Sequence, residues 1–317
     1  MGIGKDCIVG KLNAGAKSYA CGGFIQSLSR MQRQALFAEL CFDRLERKCR
    51  YIRDIFHHYN YDWLQTIYHM LLRSLDVGRN RQTYLLLSDA IPFKVLQRED
   101  FDSVAVECLI MGCSGLLDTF ENDSYIKSLK DEFGYLAHKY NLSAISPSCW
   151  DTGRILPAKH PLVRLSQLAN FISDNRLSIE NICKCRSIQD VERLFRINAK
   201  HYWCEVVSMS NGHFVPPIYI GYDKSHLLGI NFIVPLQLAY ASFTGDEPLH
   251  DNALRLIESI AAENNHYTRG WASYGVQSKS ALDSQALIQL ASEFCAKNRC
   301  EECPVAKLFM KNLATMG

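Results

Sequence analysis

The sequence predicts an all-α protein made of two helical lobes, with at most one small β-hairpin near residues 205–220. Apolar residues recur at three- and four-residue spacings along most of the 317 residues, which is the pattern of helices with one buried face. Ser, Asp and Asn stand where they can cap the ends of these helices. Hydrophobic residues make up 48% of the chain, which is enough to fill a sizeable core.

The pattern divides the chain into four segments. Residues 1–24 are glycine-rich and weakly patterned, and we expect a flexible leader or the remnant of a longer region. Residues 25–141 are predicted to form an N-terminal helical lobe, and residues 162–317 a C-terminal one. The intervening residues 142–161 hold three prolines and a glycine without periodicity, which is typical of a linker.

The N-terminal lobe begins with the longest predicted helix, over residues 30–58, whose apolar stripe runs from Leu36 to Phe56. Further helices are predicted, in order, from Trp63 to a close at Gly78, over 80–97 with a break at Pro92, over 101–117 and over 123–140.

The C-terminal lobe has clearer signals at its helix ends. Ser187 with Asp190, and Ser280 with Asp283, are spaced as capping boxes, in which two side chains satisfy each other's backbone amides. Pro304 suits the first turn of a last helix, where its missing amide proton has no partner to lose. The helix that begins at the Ser187 box is predicted to run to about Trp203. Other helices are predicted over 162–172, over 224–243 with a kink near Pro235, and over 247–263.

Composition narrows the class of protein. The 35 basic and 33 acidic residues nearly cancel, so net charge indicates no partner. Thirteen cysteines without a secretory signal favour a reducing compartment, and we expect a cytoplasmic protein. The most apolar run, residues 227–243, is short of the roughly 20 residues of a membrane helix and carries polar residues and a proline, so no membrane partner is expected.

Three cysteines near the end of the chain form the strongest candidate for a metal site. Cys300 and Cys303 have the two-residue gap that lets two thiolates bind one tetrahedral ion, and Cys295 can add a third. We expect one zinc ion, with an iron–sulfur cluster or three packed, metal-free thiols as the alternatives. A fourth ligand would come from elsewhere; His266, Cys183 and Cys185 are candidates by residue type alone.

A second hypothesis concerns polar residues that sit beside helix ends. Arg164, Gln167, Asn231 and Asp283 are suited to bind a phosphate- or carboxylate-bearing substrate if they converge. The alternative for each residue is helix capping or hydrogen bonding between helices. No nucleophile or general base has a recognisable setting, so an enzyme is the second hypothesis after a helical binding or scaffold protein.

The first long helix also carries a basic face. Arg44, Arg47, Arg50 and Arg53 could contact nucleic acid phosphates. A solvated charged face is the more common use of such a pattern. Nucleic acid is therefore a weak candidate partner, and the sequence names no other.

The segment from Cys295 to Pro304, which we call the knuckle, resembles a loop in another group of proteins. A helix that runs into Cys-x2-Cys-Pro is similar to the iron–sulfur loop that closes the helix-hairpin-helix DNA glycosylases. The four-residue gap after Cys295 is shorter than in that loop, and Phe309 stands where its last cysteine is expected. No Gly-rich hairpin motif occurs upstream, so the resemblance does not imply glycosylase chemistry.

A further resemblance rests on five stretches of the chain: residues 42–48, 112–117, 156–169 (LPAKHPLVRLSQLA), 230–235 and 283–303. Together they resemble one bacterial family of unknown function, number 2851. The family supplies no activity, and its members are usually longer at the N-terminus. This chain has Leu156 and Lys159 where the family favours Arg and Asn, so a site in that motif would be altered here.

Overall fold

A computed structural model describes residues 19, 21–76, 78–121, 123–211 and 219–314, and side chains over the same ranges except 209–211. All regular structure in these residues is helical, which confirms the all-α prediction. The predicted leader, residues 1–24, lies largely outside the described part of the chain.

The helices follow the predicted order, except that the helix predicted from Ser187 to about Trp203 ends at Leu194 and a new one begins at His201. Short 3₁₀ turns at Leu116–Thr119, Pro147–Cys149 and Pro157–Lys159 connect some of them. The helices are α1 (Gly22–Ser27), α2 (Arg30–His58), α3 (Trp63–Leu75), α4 (Arg81–Ala90), α5 (Phe93–Arg98), α6 (Ser103–Cys113), α7 (Ser124–Tyr140), α8 (Pro161–Ser173), α9 (Ile179–Lys184), α10 (Ile188–Leu194), α11 (His201–Asn211), α12 (Tyr222–Leu228), α13 (Val234–Thr244), α14 (Glu247–Ser259), α15 (His266–Ser273), α16 (Ala281–Gln289) and α17 (Pro304–Ala314).

The chain divides into two compact units, and the division differs from the predicted one. The two ends of the chain, up to Arg50 and from Leu254, form what we call the terminal unit; Tyr51–Ala253 form the central unit. The predicted linker, residues 142–161, lies inside the central unit.

The proline-rich segment is a packed part of the central unit. Nε1 of the buried Trp150 donates to the Ser114 carbonyl at 2.8 Å. The amide of Ile145 donates to the Cys113 carbonyl at 2.9 Å. The segment lacks helical periodicity because its prolines favour short 3₁₀ turns, and its polar groups are satisfied by the neighbouring helix.

The core of the central unit is built around α6, which packs against α7 and α8. Glu107 is almost fully buried in the middle of this apolar helix. Its carboxylate accepts from Tyr125 Oη at 2.8 Å and from Trp203 Nε1 at 2.7 Å, and it also pairs with Lys200. A buried charge with three partners stabilises one arrangement of α6, α7 and α11.

One helical run of the central unit is long and apolar. It spans Tyr222–Thr244, continuing from α12 through a π-helical segment, Gly229–Ile233, into α13. Its length and composition would allow it to cross a membrane, but 67% of its apolar window is buried, as in the core helix of a globular unit. The π-helical turn lies just before Pro235, near the position of the predicted kink.

The predicted hairpin near 205–220 falls partly on helix. Residues up to Asn211 belong to α11, and residues 212–218 lie outside the described chain. An isolated antiparallel bridge pairs Asn198 with Tyr219. The described residues therefore contain no hairpin.

Candidate functional site

Three of the four predicted site residues lie in the central unit. Arg164 and Gln167 are on α8, and Asn231 is in the π-helical segment that follows α12. Asp283 belongs to the terminal unit, where its Oδ2 accepts the Lys279 amide at 2.8 Å. The sequence predicted that Asp283 accepts the Ser280 amide, and it accepts the amide one residue earlier. Asp283 therefore caps a helix, which was the alternative to a binding role.

Arg164 is held in an unusually buried position. Helix α8 begins at Pro161 and is capped by His160, whose Nδ1 accepts the Leu162 amide at 3.3 Å. Nearly all of α8 is buried, so Arg164 is only 7% exposed although it lies opposite the apolar stripe. Its Nη1 donates to Gln167 Oε1 at 2.8 Å. Burial lowers the pKa of Arg164.

Lys224, on α12, joins this site without having been predicted. Its Nζ donates to the Ser74 carbonyl at 2.7 Å, and Ser74 Oγ donates to the Asn231 carbonyl at 3.5 Å. Burial, followed by the charge of Arg164, lowers the pKa of Lys224 to about 7, although Asp76 acts in the opposite direction. The charge of Lys224 therefore interacts with that of Arg164, and Ser74, at the end of α3, bonds to both Lys224 and Asn231.

Positive charge exceeds negative charge in this group. We call Arg164, Lys224 and the exposed Lys159 the cation cluster; Lys159 also lowers the pKa of Lys224. Asp76 is the carboxylate that acts on both Arg164 and Lys224. Its oxygens already accept the amides of Gly78 at 2.8 Å and Asn80 at 2.9 Å.

The helix that carries Arg164 adds to the positive field. The first turn of α8 contains no acidic residue, so nothing in that turn offsets the positive end of the helix dipole. Arg164 falls in this turn, where a cation is unfavourable and an anion is favoured. The site is therefore suited to phosphate or carboxylate groups.

Two other buried polar groups are satisfied by neighbouring side chains. His69 Nε2 lies 3.0 Å from Tyr51 Oη, and its Nδ1 lies 3.2 Å from Ser88 Oγ. Burial lowers the pKa of His69 to about 4, so the ring is neutral near pH 7. Ser88 has no exposed surface, so this Ser–His pair cannot meet a substrate. Like the Glu107 network, it is a packing feature.

The cysteine knuckle has the predicted backbone. A π-helical segment, Leu290–Cys295, extends α16, and Asn298 ends it in the left-handed conformation with φ 53°. The Cys303 amide donates to the Cys300 carbonyl at 3.1 Å, and α17 starts at Pro304. Within the described ranges, no three His, Cys, Asp or Glu side chains are grouped closely enough to hold a metal ion. The metal prediction therefore stays a prediction.

The four arginines of the predicted basic face have different surroundings. Arg44 Nε donates to Gln285 Oε1 at 2.8 Å, and Arg47 pairs with Glu293 at 2.7 Å. Arg50 pairs with Glu46 at 3.6 Å on the surface, and Arg53 is exposed. Two of the four side chains are thus engaged by α16 and its extension.

Comparison with known proteins identifies the family. A family model described as protein of unknown function DUF2851 matches residues 8–266. The match covers well over half of the chain, which therefore belongs to this family. The matched residues include the cation cluster and end before the knuckle, so the resemblance to the glycosylase loop is not confirmed. No curated protein and no solved structure matched the chain.

Proposed function

We propose that this member of the DUF2851 family is a helical binding protein whose cation cluster takes up a small ligand bearing a phosphate or carboxylate group. The observation that carries the proposal is that the charge of Arg164 acts on Lys224 inside the central unit, with Asp76 as the carboxylate acting on both. Arg164 is buried and Lys224 is partly buried, so their positive charges repel each other, and a bound anion would offset that repulsion.

The donor geometry supports an oxygen anion. A guanidinium presents a planar fork of N–H groups that matches two oxygens of a phosphate or carboxylate. One donor of Arg164 is directed to Gln167, and one proton of the Lys224 ammonium to Ser74. The remaining N–H donors of Arg164 and Lys224 are the groups to which an anion would bond.

The proposal is tested with inorganic phosphate, pyrophosphate and citrate at constant ionic strength. A ligand at about 100 times its Kd adds about 2.7 kcal/mol of stability, which raises the Tm of a unit of this size by about 5–10 °C. Arg164→Gln and Lys224→Met should each weaken binding at least tenfold, measured by calorimetry. The matched control is Lys48→Met, since Lys48 also has a pKa of about 7 but lies in the terminal unit.

Phosphate and citrate also stabilise proteins without binding, because they are excluded from protein surfaces. Equal Tm shifts in the wild type and in Lys224→Met would therefore be a solvent effect and would contradict the proposal. Binding lost equally in Lys48→Met would place the site outside the cation cluster.

A second candidate function is an enzyme that uses the same cluster. A lysine whose pKa is lowered to about 7 is largely neutral at slightly alkaline pH, and a neutral amine is a base or a nucleophile toward carbonyl carbon. Borohydride treatment in the presence of a 2-oxo acid would trap the product of amine attack as a stable adduct at Lys224. No adduct, together with intact anion binding, leaves the binding function alone.

We also propose that Cys295, Cys300 and Cys303 hold one metal ion, zinc in preference to an iron–sulfur cluster. The support is the backbone turn from Cys300 to Cys303 and the start of α17. Burial raises the pKa of Cys303, and the backbone of Val305 and Ala306 acts in the opposite direction, which favours a thiolate. Metal analysis of protein purified without oxygen tests this part, and metal-free protein that takes up no added zinc would contradict it.

Two further proposals concern location and nucleic acid. We propose a cytoplasmic location, which is supported by the free thiols of the described cysteines. Nucleic acid association through the basic face would rely on Arg50 and Arg53, since Arg44 and Arg47 bond to α16 and its extension. Both statements stay proposals.

A further inference from the structure

The start of the described chain packs on the turn that follows α15. The ring of Tyr19 meets that of Trp271 edge to face, with ring centroids 4.8 Å apart. Gly270 makes this approach possible, because a Cβ at that position would lie 2.5 Å from the Tyr19 ring. Gln26 Nε2 donates to the Tyr274 carbonyl. Tyr19 and α1 are therefore held against α15 and the turn after it.

This packing brings Cys21 beside the knuckle. Tyr19 also lies beside Cys295: burial raises the pKa of the Cys295 thiol to about 11, and the Tyr19 backbone acts in the opposite direction. The ring of Phe24 meets that of Phe309, on α17, edge to face at 5.0 Å. The thiol of Cys21 lies close enough to those of Cys295, Cys300 and Cys303 for their charges to interact.

We propose that Cys21 is the fourth ligand of the knuckle and completes a four-cysteine zinc site with Cys295, Cys300 and Cys303. This inference rests on the metal site proposed above and adds the residue that closes it. All four residues belong to the terminal unit. Of the fourth ligands suggested by the sequence, Cys183 and Cys185 lie in the central unit, and Cys185 donates to the Asn181 carbonyl at 3.4 Å.

The donor set fits the chemistry of zinc. A closed structural zinc site takes four ligands in a tetrahedron, and four thiolates are a common set. Binding forms four zinc–sulfur bonds and releases the four thiol protons to solvent, with no change in oxidation state. The backbone of Tyr19, Val305 and Ala306 lies beside two of the four sulfurs and would offset part of the resulting negative charge.

The four sulfurs are not grouped as a formed site, so binding the ion requires the four cysteines to move closer together. Metal binding of this kind is coupled to local folding. The ion would join α1, the extension of α16 and the start of α17. Its structural effect would be to fasten the first described residues to the last helix.

The experiment compares metal content and ligand field in the full chain. Wild type, Cys21→Ser, Cys300→Ser and the control Cys183→Ser are purified without oxygen, and zinc is measured per chain. Cobalt is then exchanged for zinc, because the intensity and position of its visible absorption bands distinguish four thiolates from three. We expect about one zinc per chain and a four-thiolate spectrum in the wild type and in Cys183→Ser. Cys21→Ser should bind zinc at least tenfold more weakly, and any cobalt it binds should have a three-thiolate spectrum.

The outcomes separate the two proposals. Zinc binding and a cobalt spectrum unchanged in Cys21→Ser, but lost in Cys300→Ser, would overturn the role of Cys21 and keep the three-cysteine site. No metal in any form of the protein, even after reconstitution with zinc and a reductant, would overturn both. Iron in place of zinc would overturn the zinc assignment. Cys21→His, which keeps a zinc ligand, should restore binding if Cys21→Ser fails only through loss of a donor.

Discussion

The two units contain similar cation groups with different partners. In the terminal unit, Arg44 Nε and Lys48 Nζ both donate to Gln285 Oε1, at 2.8 and 2.9 Å. Gln285 Nε2 donates a hydrogen bond to Glu263 Oε1 at 2.9 Å. In the central unit, Arg164 and Lys224 share Asp76, a carboxylate that also holds a turn. Burial lowers the pKa of both lysines to about 7.

The comparison teaches that residue type does not separate a packing network from a binding site. In the terminal unit Arg44 and Lys48 bond to Gln285, and Arg47 pairs with Glu293, which also pairs with Lys297. A network in which charged groups bond to neighbouring side chains is a structural device. The central cation cluster has three cations, with Asp76 as the carboxylate acting on Arg164 and Lys224, and this excess of positive charge favours an anionic ligand.

The largest effect should follow from breaking the terminal-unit network around Gln285. Gln285→Leu removes the acceptor of two cations at a fully buried position. Hydrogen bonds to charged groups contribute about 1.5–3 kcal/mol each, so we expect a loss of about 3–5 kcal/mol. Thermal unfolding followed by circular dichroism measures it. In the central unit, Gln167→Leu should have a smaller effect that added phosphate offsets; equal losses in the two variants would remove the distinction between the clusters.

The second effect is a change in how stability depends on pH. Below pH 7 Lys224 is charged in both the folded and the unfolded chain, so the full cost of burying its charge is present. The folded pKa is about 7 and the ordinary value is 10.5, so between these values the unfolded chain binds more protons and stability rises with pH. Lys224→Met should therefore stabilise the protein at pH 6 by roughly 2–4 kcal/mol, and the gain should shrink toward pH 10.

Lys48→Met is the matched variant for this measurement, since the pKa of Lys48 is lowered by burial and by Arg44 to a similar value. Both variants should flatten the pH profile between 7 and 10, but only Lys224→Met should also lose the response to phosphate. A pH profile unchanged in Lys224→Met would show that this lysine keeps its ordinary pKa in the folded chain.

The third effect is an increase in anion affinity. Asp76→Asn keeps one of the two oxygens that accept the amides of Gly78 and Asn80, and it removes the negative charge near Arg164 and Lys224. Removing about 1 kcal/mol of repulsion between Asp76 and a bound anion should strengthen phosphate binding about fivefold. The terminal-unit counterpart, Glu263→Gln, should leave phosphate binding unchanged. Weaker binding in Asp76→Asn would mean that Asp76 orients the cations and does not compete with the ligand.

The sequence was sufficient to predict local structure because caps and periodicity act over a few residues. The Ser187–Asp190 capping box, the left-handed Asn298 and the helix start at Pro304 are all present. The division into units was not predictable in the same way. It falls inside α2 and α14, which continue from one unit into the other, so no proline-rich linker marks it.

The candidate site was only partly predictable for a related reason. Arg164 and Gln167 are three residues apart on one helix, so their contact follows from helical spacing. Lys224 and Asp76 come from distant parts of the sequence, and tertiary packing brings them to Arg164. Glu107 had a usable signal, since it is the one charged residue in an otherwise apolar stretch of α6.

The smallest effect is expected from the exposed half of the basic face. Arg50 has a surface pair with Glu46 at 3.6 Å, and such exposed pairs contribute less than about 1 kcal/mol. Arg50→Gln and Arg53→Gln should each change stability by less than about 0.5 kcal/mol, whereas Arg44→Gln should cost more because Arg44 bonds to the buried Gln285.

If the face binds nucleic acid, the two exposed variants should weaken that binding and reduce its dependence on salt between about 50 and 200 mM. Binding that depends on Arg44 but not on Arg50 or Arg53 would reverse the assignment, because it would require the network of the terminal unit to open for its partner.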